Sequence, residues 1–179
     1  MRLPLQIAAV SFCTVLAGTL SVAQAASIDG STATATLYNP NLGTILGGPT
    51  SAIVGASTPT FPNGSIVGNT AFEINITSDQ IFYNPLANVT YGSGVFNGFV
   101  FDFANAPDVV GVTLDGASTF TPTAISFTAD SISLNLSGNT VNTSSVAILD
   151  IRLQAASVPE PATWAPVVGC VGVLGVMRN

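Results

Sequence analysis

The chain has 179 residues with a net charge of −6, and only 7% of the residues are charged. It contains three arginines, no lysine, no histidine and two cysteines. This inventory excludes a Ser-His-Asp triad and a lysine Schiff base. It also excludes nucleic acid as a partner, because so few cations cannot replace the counterions of the phosphates.

The first 25 residues have the pattern of a secretory signal peptide. Arg2 supplies the positive charge, an apolar stretch runs from Leu3 to Leu20, and Ala23 and Ala25 satisfy the small-residue rule for cleavage. We expect cleavage after Ala25, with Ala26 as the alternative. An uncleaved N-terminal anchor is the competing interpretation, but polar residues interrupt the apolar stretch.

Residues 26–157 are predicted to form a single all-β body. Cys13 and Cys170 both lie outside this segment, so the body has no disulfide and no thiolate metal site. Val, Ile, Phe, Ser and Thr dominate it, and Gly, Pro, Asn and Asp mark turns at short intervals. We therefore expect an antiparallel β-sandwich or jelly-roll-like body, flanked by an N-terminal signal helix and an apolar C-terminal helix.

Five segments alternate apolar and polar residues with the period of a half-buried strand. They are residues 71–77, 98–103, 109–114, 131–137 and 146–153. Their core-facing residues are predicted to be Phe72, Ile74, Ile76, Phe99, Phe101, Phe103, Val110, Val112, Leu114, Ile132, Leu134, Leu136, Leu149, Ile151 and Leu153.

Shorter strands are predicted between these segments. They are residues 33–38, 53–54, 65–67, 80–83, 89–91 and 124–128. Residues 42–64 are the least regular stretch and predict a long loop with short edge strands.

A pair of carboxylates is the catalytic arrangement that the inventory still permits in the body. Glu73 is the body's single glutamate and lies in the middle of a predicted strand, where an outward, solvated carboxylate is ordinary. A pair of Glu73 with an aspartate, as glycosidases use, is the enzymatic alternative. We expect no enzyme and no cofactor.

Four aspartates flank predicted loops and are the candidates for a calcium site: Asp102, Asp108, Asp115 and Asp130. Calcium prefers carboxylate and carbonyl oxygens. The acidic loop pattern of an EF-hand is missing, and a role in a turn or a cap accounts for each aspartate separately. The sequence predicts no metal, and calcium stays an alternative.

Aromatic residues near predicted loops are candidates for a sugar-binding platform. These are Tyr38, Phe82, Tyr83 and Tyr91. Packing in the core is the use that their type favours.

The segment 158–179 has a composition unlike that of the body. Val158-Pro159-Glu160-Pro161 leads through Trp164 into an apolar run, and Arg178 follows this run. The prolines favour an extended entry, and the run of 162–177 is shorter than the roughly 20 residues of a membrane-spanning helix. Trp164 suits the membrane interface and Arg178 its cytoplasmic side.

This order of features resembles the PEP-CTERM sorting signal of Gram-negative exosortase substrates. The resemblance implies that the tail holds an exported precursor in the inner membrane through a short helix. A membrane exosortase would then recognise Pro159-Glu160-Pro161 and cleave near it. The single Arg178 departs from the several arginines that usually end such tails, which predicts weaker retention.

The resemblance implies a mature protein of the cell envelope or of the extracellular matrix of a biofilm. Three stretches of the body, residues 94–103, 111–114 and 125–136, are similar to a recurring pattern in small extracellular proteins with this tail. We expect an exported, non-enzymatic cell-surface protein with extracellular polysaccharide as a candidate partner. A carbohydrate- or calcium-binding module is the alternative.

Overall fold

The computed structural model describes residues 25–66 and 68–155, and all regular secondary structure in these residues is β-strand. Every strand pair is antiparallel. The all-β, antiparallel class is therefore confirmed for this part of the chain. The strands are β1 (Thr32–Tyr38), β2 (Ile45–Ile53), β3 (Phe72–Ile76), β4 (Gln80–Pro85), β5 (Val89–Thr90), β6 (Gly98–Ala104), β7 (Val109–Leu114), β8 (Ala124–Phe127), β9 (Ser131–Asn135), β10 (Thr140–Val141) and β11 (Ala147–Leu153).

The segments predicted to flank the body fall outside the described residues. Residues 1–24 include nearly all of the predicted signal peptide, and residues 156–179 include the whole predicted sorting segment. Within the described part of the chain, no helix reaches the length and apolarity that crossing a membrane requires.

The strands form two larger sheets and a short ribbon. The first sheet has the order β2-β1-β6-β9-β8, and the second has the order β3-β4-β11-β7. Strands β5 and β10 pair as a two-stranded ribbon. The chain passes from the first sheet to the second between β6 and β7 and returns between β7 and β8, so consecutive strands connect the two sheets.

An aromatic cluster joins the two sheets. Phe99 on β6 is fully buried, with its ring centroid 4.8 Å from that of Phe72 on β3 and 5.6 Å from that of Tyr83 on β4. Phe101, the next inward residue of β6, stacks on Phe99 at 6.0 Å. Because these rings come from both sheets, the sheets pack face to face around one core.

The predicted core faces agree with the structure at every position except Val110. Val109 is 4% exposed and Val110 is 43% exposed. Gly111 pairs with Arg152 and Val109 pairs with Leu153, so Val110 is an extra residue on β7. Such a bulge reverses the alternation of side chains, and this reversal turns Val110 outward.

The prediction of a long loop over residues 42–64 is wrong in its first half, where β2 has nine residues. Gly47, Gly48 and Pro49 are typical of a turn, but here they lie within the strand at two shifts of the β1–β2 register. Because β2 is an edge strand, Pro49 needs no ladder partner.

Two smaller corrections concern short strands. Ser65 and Ile66 lie in a turn instead of a strand, and Val67 lies outside the described residues. The two-residue strand β10 was not predicted, because its partner β5 is 50 residues away in sequence.

We predict that Phe99→Ala lowers the free energy of unfolding by about 3–5 kcal/mol, because it leaves a cavity between the sheets. Urea unfolding followed by far-UV circular dichroism measures this change. Phe127→Ala is the matched control, since Phe127 is 45% exposed on an edge strand. This substitution should lower the free energy of unfolding by less than about 1 kcal/mol. Equal losses for the two variants would contradict the assigned core.

Candidate functional site

The charged residues are unevenly distributed over the body. Asp29, Asp79, Asp108 and Asp130 lie in loops at one end, which we call the chain-end pole. Hydrogen bonds between these loops define that end: Ile28 N donates to Ser78 O, and Val109 N donates to Ala129 O. Strand β1 begins and strand β11 ends at this pole.

The opposite end, which we call the neutral pole, is formed by uncharged segments. It contains the β1–β2 turn and the segments 86–97, 136–139 and 142–146. Residues 30–72, 80–101 and 131–149 contain no charged residue at all. Two acidic residues lie towards this end: Asp115 follows β7, and Glu73 on β3 pairs with Asn84 near the end of β4. The chain-end pole therefore carries more of the charged residues.

A cleft of about 180 Å³ opens at the neutral pole, beside the edge strands β2 and β3. No charged side chain is among its lining residues. They are Leu37, Asn39, Leu46, Asn69, Ala71, Phe72, Val89, Thr90, Tyr91, Gly92 and Asn97. The lining therefore combines apolar residues with three asparagines and two residues that carry a hydroxyl, Thr90 and Tyr91.

The β1–β2 turn positions Asn39 at the cleft. Asn39 N donates to Thr44 O at 3.1 Å, and Thr44 N donates to Asn41 O at 3.1 Å. The Asn41 side chain also accepts a hydrogen bond from Gly43 N at 2.8 Å. These bonds fix the backbone of the turn that carries Asn39, a lining residue of the cleft.

Asn69 and Asn97 each use one polar atom of the side-chain amide in a hydrogen bond within the protein, and the other polar atom stays available. Asn69 Oδ1 accepts from Ala71 N at 2.9 Å, which leaves its Nδ2 group to donate. Asn97 is 4% exposed, and its Nδ2 donates to Gly92 O at 2.9 Å, which leaves its Oδ1 to accept. Asn135 Oδ1 fixes the backbone of Asn97 by accepting from its N–H at 3.1 Å.

A buried pair of tyrosines includes Tyr91, which lines the cleft, and Tyr83, which lies behind it in the core. The hydroxyls of Tyr83 and Tyr91 are 2.6 Å apart and share a hydrogen bond. Burial raises the pKa of Tyr83 to about 12, although the bond to Tyr91 opposes the shift. Burial, together with the neighbouring Tyr83, also raises the pKa of Tyr91. Both phenols are therefore neutral at physiological pH.

The aromatic candidates for a sugar platform have different environments. Tyr83 and Tyr91 belong to the core, as residue type favours. Tyr38 is half-buried and packs edge-on against Phe96, with ring centroids 6.3 Å apart. Phe82 is half-buried and alternates with the buried residues of β4. The structure does not bring the four rings together as one exposed platform.

The calcium candidates are dispersed. Asp102 is exposed on β6, Asp108 precedes β7, and Asp115 follows β7 at the opposite pole. Asp115 Oδ1 accepts from Ala117 N at 2.6 Å, and Asp130 Oδ1 accepts from Thr128 Oγ1 at 2.8 Å, so both stabilise turns. Within the described residues, no group of three acidic side chains could hold a metal ion.

The remaining candidate residues are Glu73, the residues around the predicted signal cleavage and those of the predicted sorting segment. Glu73 is half-buried on β3 and pairs in register with Asn84. Ala25 is exposed and Ala26 is half-buried. The candidates outside the described residues are Ala23, Val158, Pro159, Glu160, Pro161, Trp164 and Arg178.

The cleft asparagines were not among the residues that the sequence indicated. Asn39, Asn69 and Asn97 each lie next to glycine or proline or in a loop, where asparagine ordinarily forms turns. They are far apart in sequence, and only the pairing of the strands brings them to one cleft. All three asparagines lie in long stretches of sequence without a charged residue, and this feature could have indicated them.

We predict that the free energy of unfolding falls as the pH rises through and above about 10. The folded chain keeps its Tyr83 and Tyr91 protons at a pH where the unfolded chain, with tyrosine pKa values of about 10, releases them. The loss approaches about 1.4 kcal/mol per pH unit for each tyrosine. Urea midpoints from pH 8 to 11 measure it.

The tyrosine pair also supplies a control for that measurement. Tyr91→Phe removes one of the two ionising groups, so its stability should fall less steeply above pH 10 than that of the wild type. A wild-type urea midpoint that does not change between pH 9 and pH 11 would rule out the buried, neutral pair.

Comparison with protein-family models finds no match to this chain, and comparisons with curated proteins and with solved structures find none either. Functional inference therefore depends on the chain's own residues and on the geometry of the neutral pole.

Proposed function

We propose that this chain is an exported, non-enzymatic protein of the cell envelope or extracellular matrix, sorted by a membrane exosortase. One observation carries the proposal, the order of four features in the sequence. A stretch with the pattern of an export signal is followed by a cysteine-free body, by Pro159-Glu160-Pro161, and by an apolar run that precedes Arg178. Each part has a physical role in export, folding, recognition or temporary anchoring.

The end of the body supports a sorting segment separate from the fold. Strand β11 ends at Leu153, and Gln154 N donates to Asp108 O at 2.7 Å. Val158 follows only a few residues later. An exosortase could then cleave near Pro159-Glu160-Pro161 without disturbing a strand of the body.

Export and processing define the proposed locations. Cleavage after Ala25, or after Ala26, would separate the signal before the first backbone bond between Ile28 N and Ser78 O. The apolar tail would hold the precursor in the inner membrane, with Trp164 at the interface and Arg178 on the cytoplasmic side. Processing would release the body to the envelope or matrix.

For the body we propose a jelly-roll-like β-sandwich that serves as a structural or adhesive component. Its polar surface depends on hydroxyl groups instead of charges, as Thr34 and Ser51 illustrate with Oγ atoms 2.8 Å apart on the first sheet. A surface with few charges suits contact with neutral extracellular polysaccharide, which we propose as its partner. The alternative of a carbohydrate-binding module is favoured by the amide-lined cleft.

We predict that in a host with an exosortase the mature chain ends between Val158 and Pro161. Replacing Pro159, Glu160 and Pro161 together by alanine should leave the unprocessed chain in the membrane fraction, because the recognised segment is gone. Intact-mass spectrometry of membrane and extracellular fractions measures both outcomes.

Thr163→Ala is the matched control for that experiment, since it changes the tail outside the motif. It should be processed like the wild type. A wild-type chain that keeps its mass through Asn179 in such a host would contradict the proposed sorting.

A further inference from the structure

We propose that the cleft at the neutral pole binds a single neutral sugar ring, at an end or a branch of an extracellular polysaccharide. The inference rests on the proposed matrix location for the source of the sugar. The binding chemistry itself comes from the residues that line the cleft.

The carboxamides offer donors and acceptors side by side. Asn69 keeps its Nδ2 donor and Asn97 keeps its Oδ1 acceptor, and Asn39 is the third asparagine of the lining. Thr90 adds a hydroxyl, whose Oγ1 lies 3.2 Å from Thr140 Oγ1. A sugar hydroxyl donates and accepts at the same time, so a ring with several hydroxyls can satisfy this mixed set.

The apolar part of the lining suits the C–H face of a sugar ring. Leu46 lines the cleft and is 57% exposed, and Val89 and Tyr91 lie on the same lining. Sites for small ligands combine apolar walls with a few fixed polar groups. Leu46 is therefore placed to contact the apolar face of a bound sugar ring.

The charge distribution restricts the ligand to a neutral sugar. The lining contains neither a cation nor a carboxylate. A carboxylate bound there would lose water without gaining a positive partner, which is costly. A uronic acid should therefore bind more weakly than the corresponding neutral hexose.

The size of the cleft indicates one ring. Its volume of about 180 Å³ is below the roughly 300–1,000 Å³ that is typical of sites for larger ligands. The cleft is also open at an edge of both sheets, so the rest of a polysaccharide could extend away from it.

Two variants test the cleft with the full chain purified in a detergent that has no sugar headgroup. Gly92→Leu fills the cleft: a Cβ at Gly92 would lie 3.9 Å from Asn97 Nδ2, an ordinary contact. Asn39→Ala removes one carboxamide. The matched controls are Gly116→Leu, where a Cβ meets no atom within 4 Å, and Asn84→Ala on β4, outside the lining.

Calorimetric titration with methyl glycosides of glucose, galactose, mannose and N-acetylglucosamine, and with glucuronate and galacturonate, gives the affinities. At least one neutral glycoside should bind saturably, and the uronates should bind about tenfold more weakly. Gly92→Leu should abolish binding, Asn39→Ala should weaken it about three- to tenfold, and the controls should match the wild type.

Several results would overturn the inference. One is the lack of saturable binding of every neutral glycoside at about 10 mM, far above a millimolar Kd. Another is binding that Gly92→Leu leaves unchanged. A third is self-association that Gly92→Leu abolishes in the absence of sugar, because the cleft would then take a second copy of the chain.

The test is separable from the proposed sorting. A chain that is processed near Pro159-Glu160-Pro161 but binds no sugar would leave the sorting intact and remove only the ligand. A chain that binds sugar but keeps its tail would support the proposed ligand and contradict the proposed sorting.

Discussion

The packing of Phe99 between the two sheets is the interaction on which the rest of the structure depends. Its ring contacts Phe72 and Tyr83 of the opposite sheet. Tyr83 in turn is hydrogen-bonded to Tyr91, which lines the cleft. With both cysteines outside residues 26–157, this packing and the backbone ladders must hold the body together without a disulfide. The core therefore also fixes the floor of the candidate site.

The few charged residues of the body are unevenly distributed over its surface. Eight carboxylates and Arg152 are the only charged residues of 26–157, and most of them lie at or near the pole where β1 begins and β11 ends. The opposite pole presents amides, hydroxyls and apolar side chains. Most of the charged side chains and the cleft therefore lie at opposite ends of the body.

Much of the fold could be predicted from the alternation of residues in the sequence. The long strands, and almost every core position on them, follow from a period of two. The exceptions have local causes. The bulge at Val110 depends on the register with β11, and β2 was missed because Gly47, Gly48 and Pro49 are typical of turns. The cleft was not predictable, since its asparagines meet only through strand pairing. The resemblance of residues 158–179 to a sorting signal could be seen in the sequence because its residues are contiguous.

Hydrogen–deuterium exchange of the full chain, with and without a neutral oligosaccharide, tests most directly that the neutral pole is the binding end of this molecule. The account predicts added protection in residues 37–46, 69–72 and 89–97, with no change in the loops of the chain-end pole. Protection confined to the outer faces of the sheets or to the chain-end pole would contradict it, as would unchanged exchange at a saturating sugar concentration.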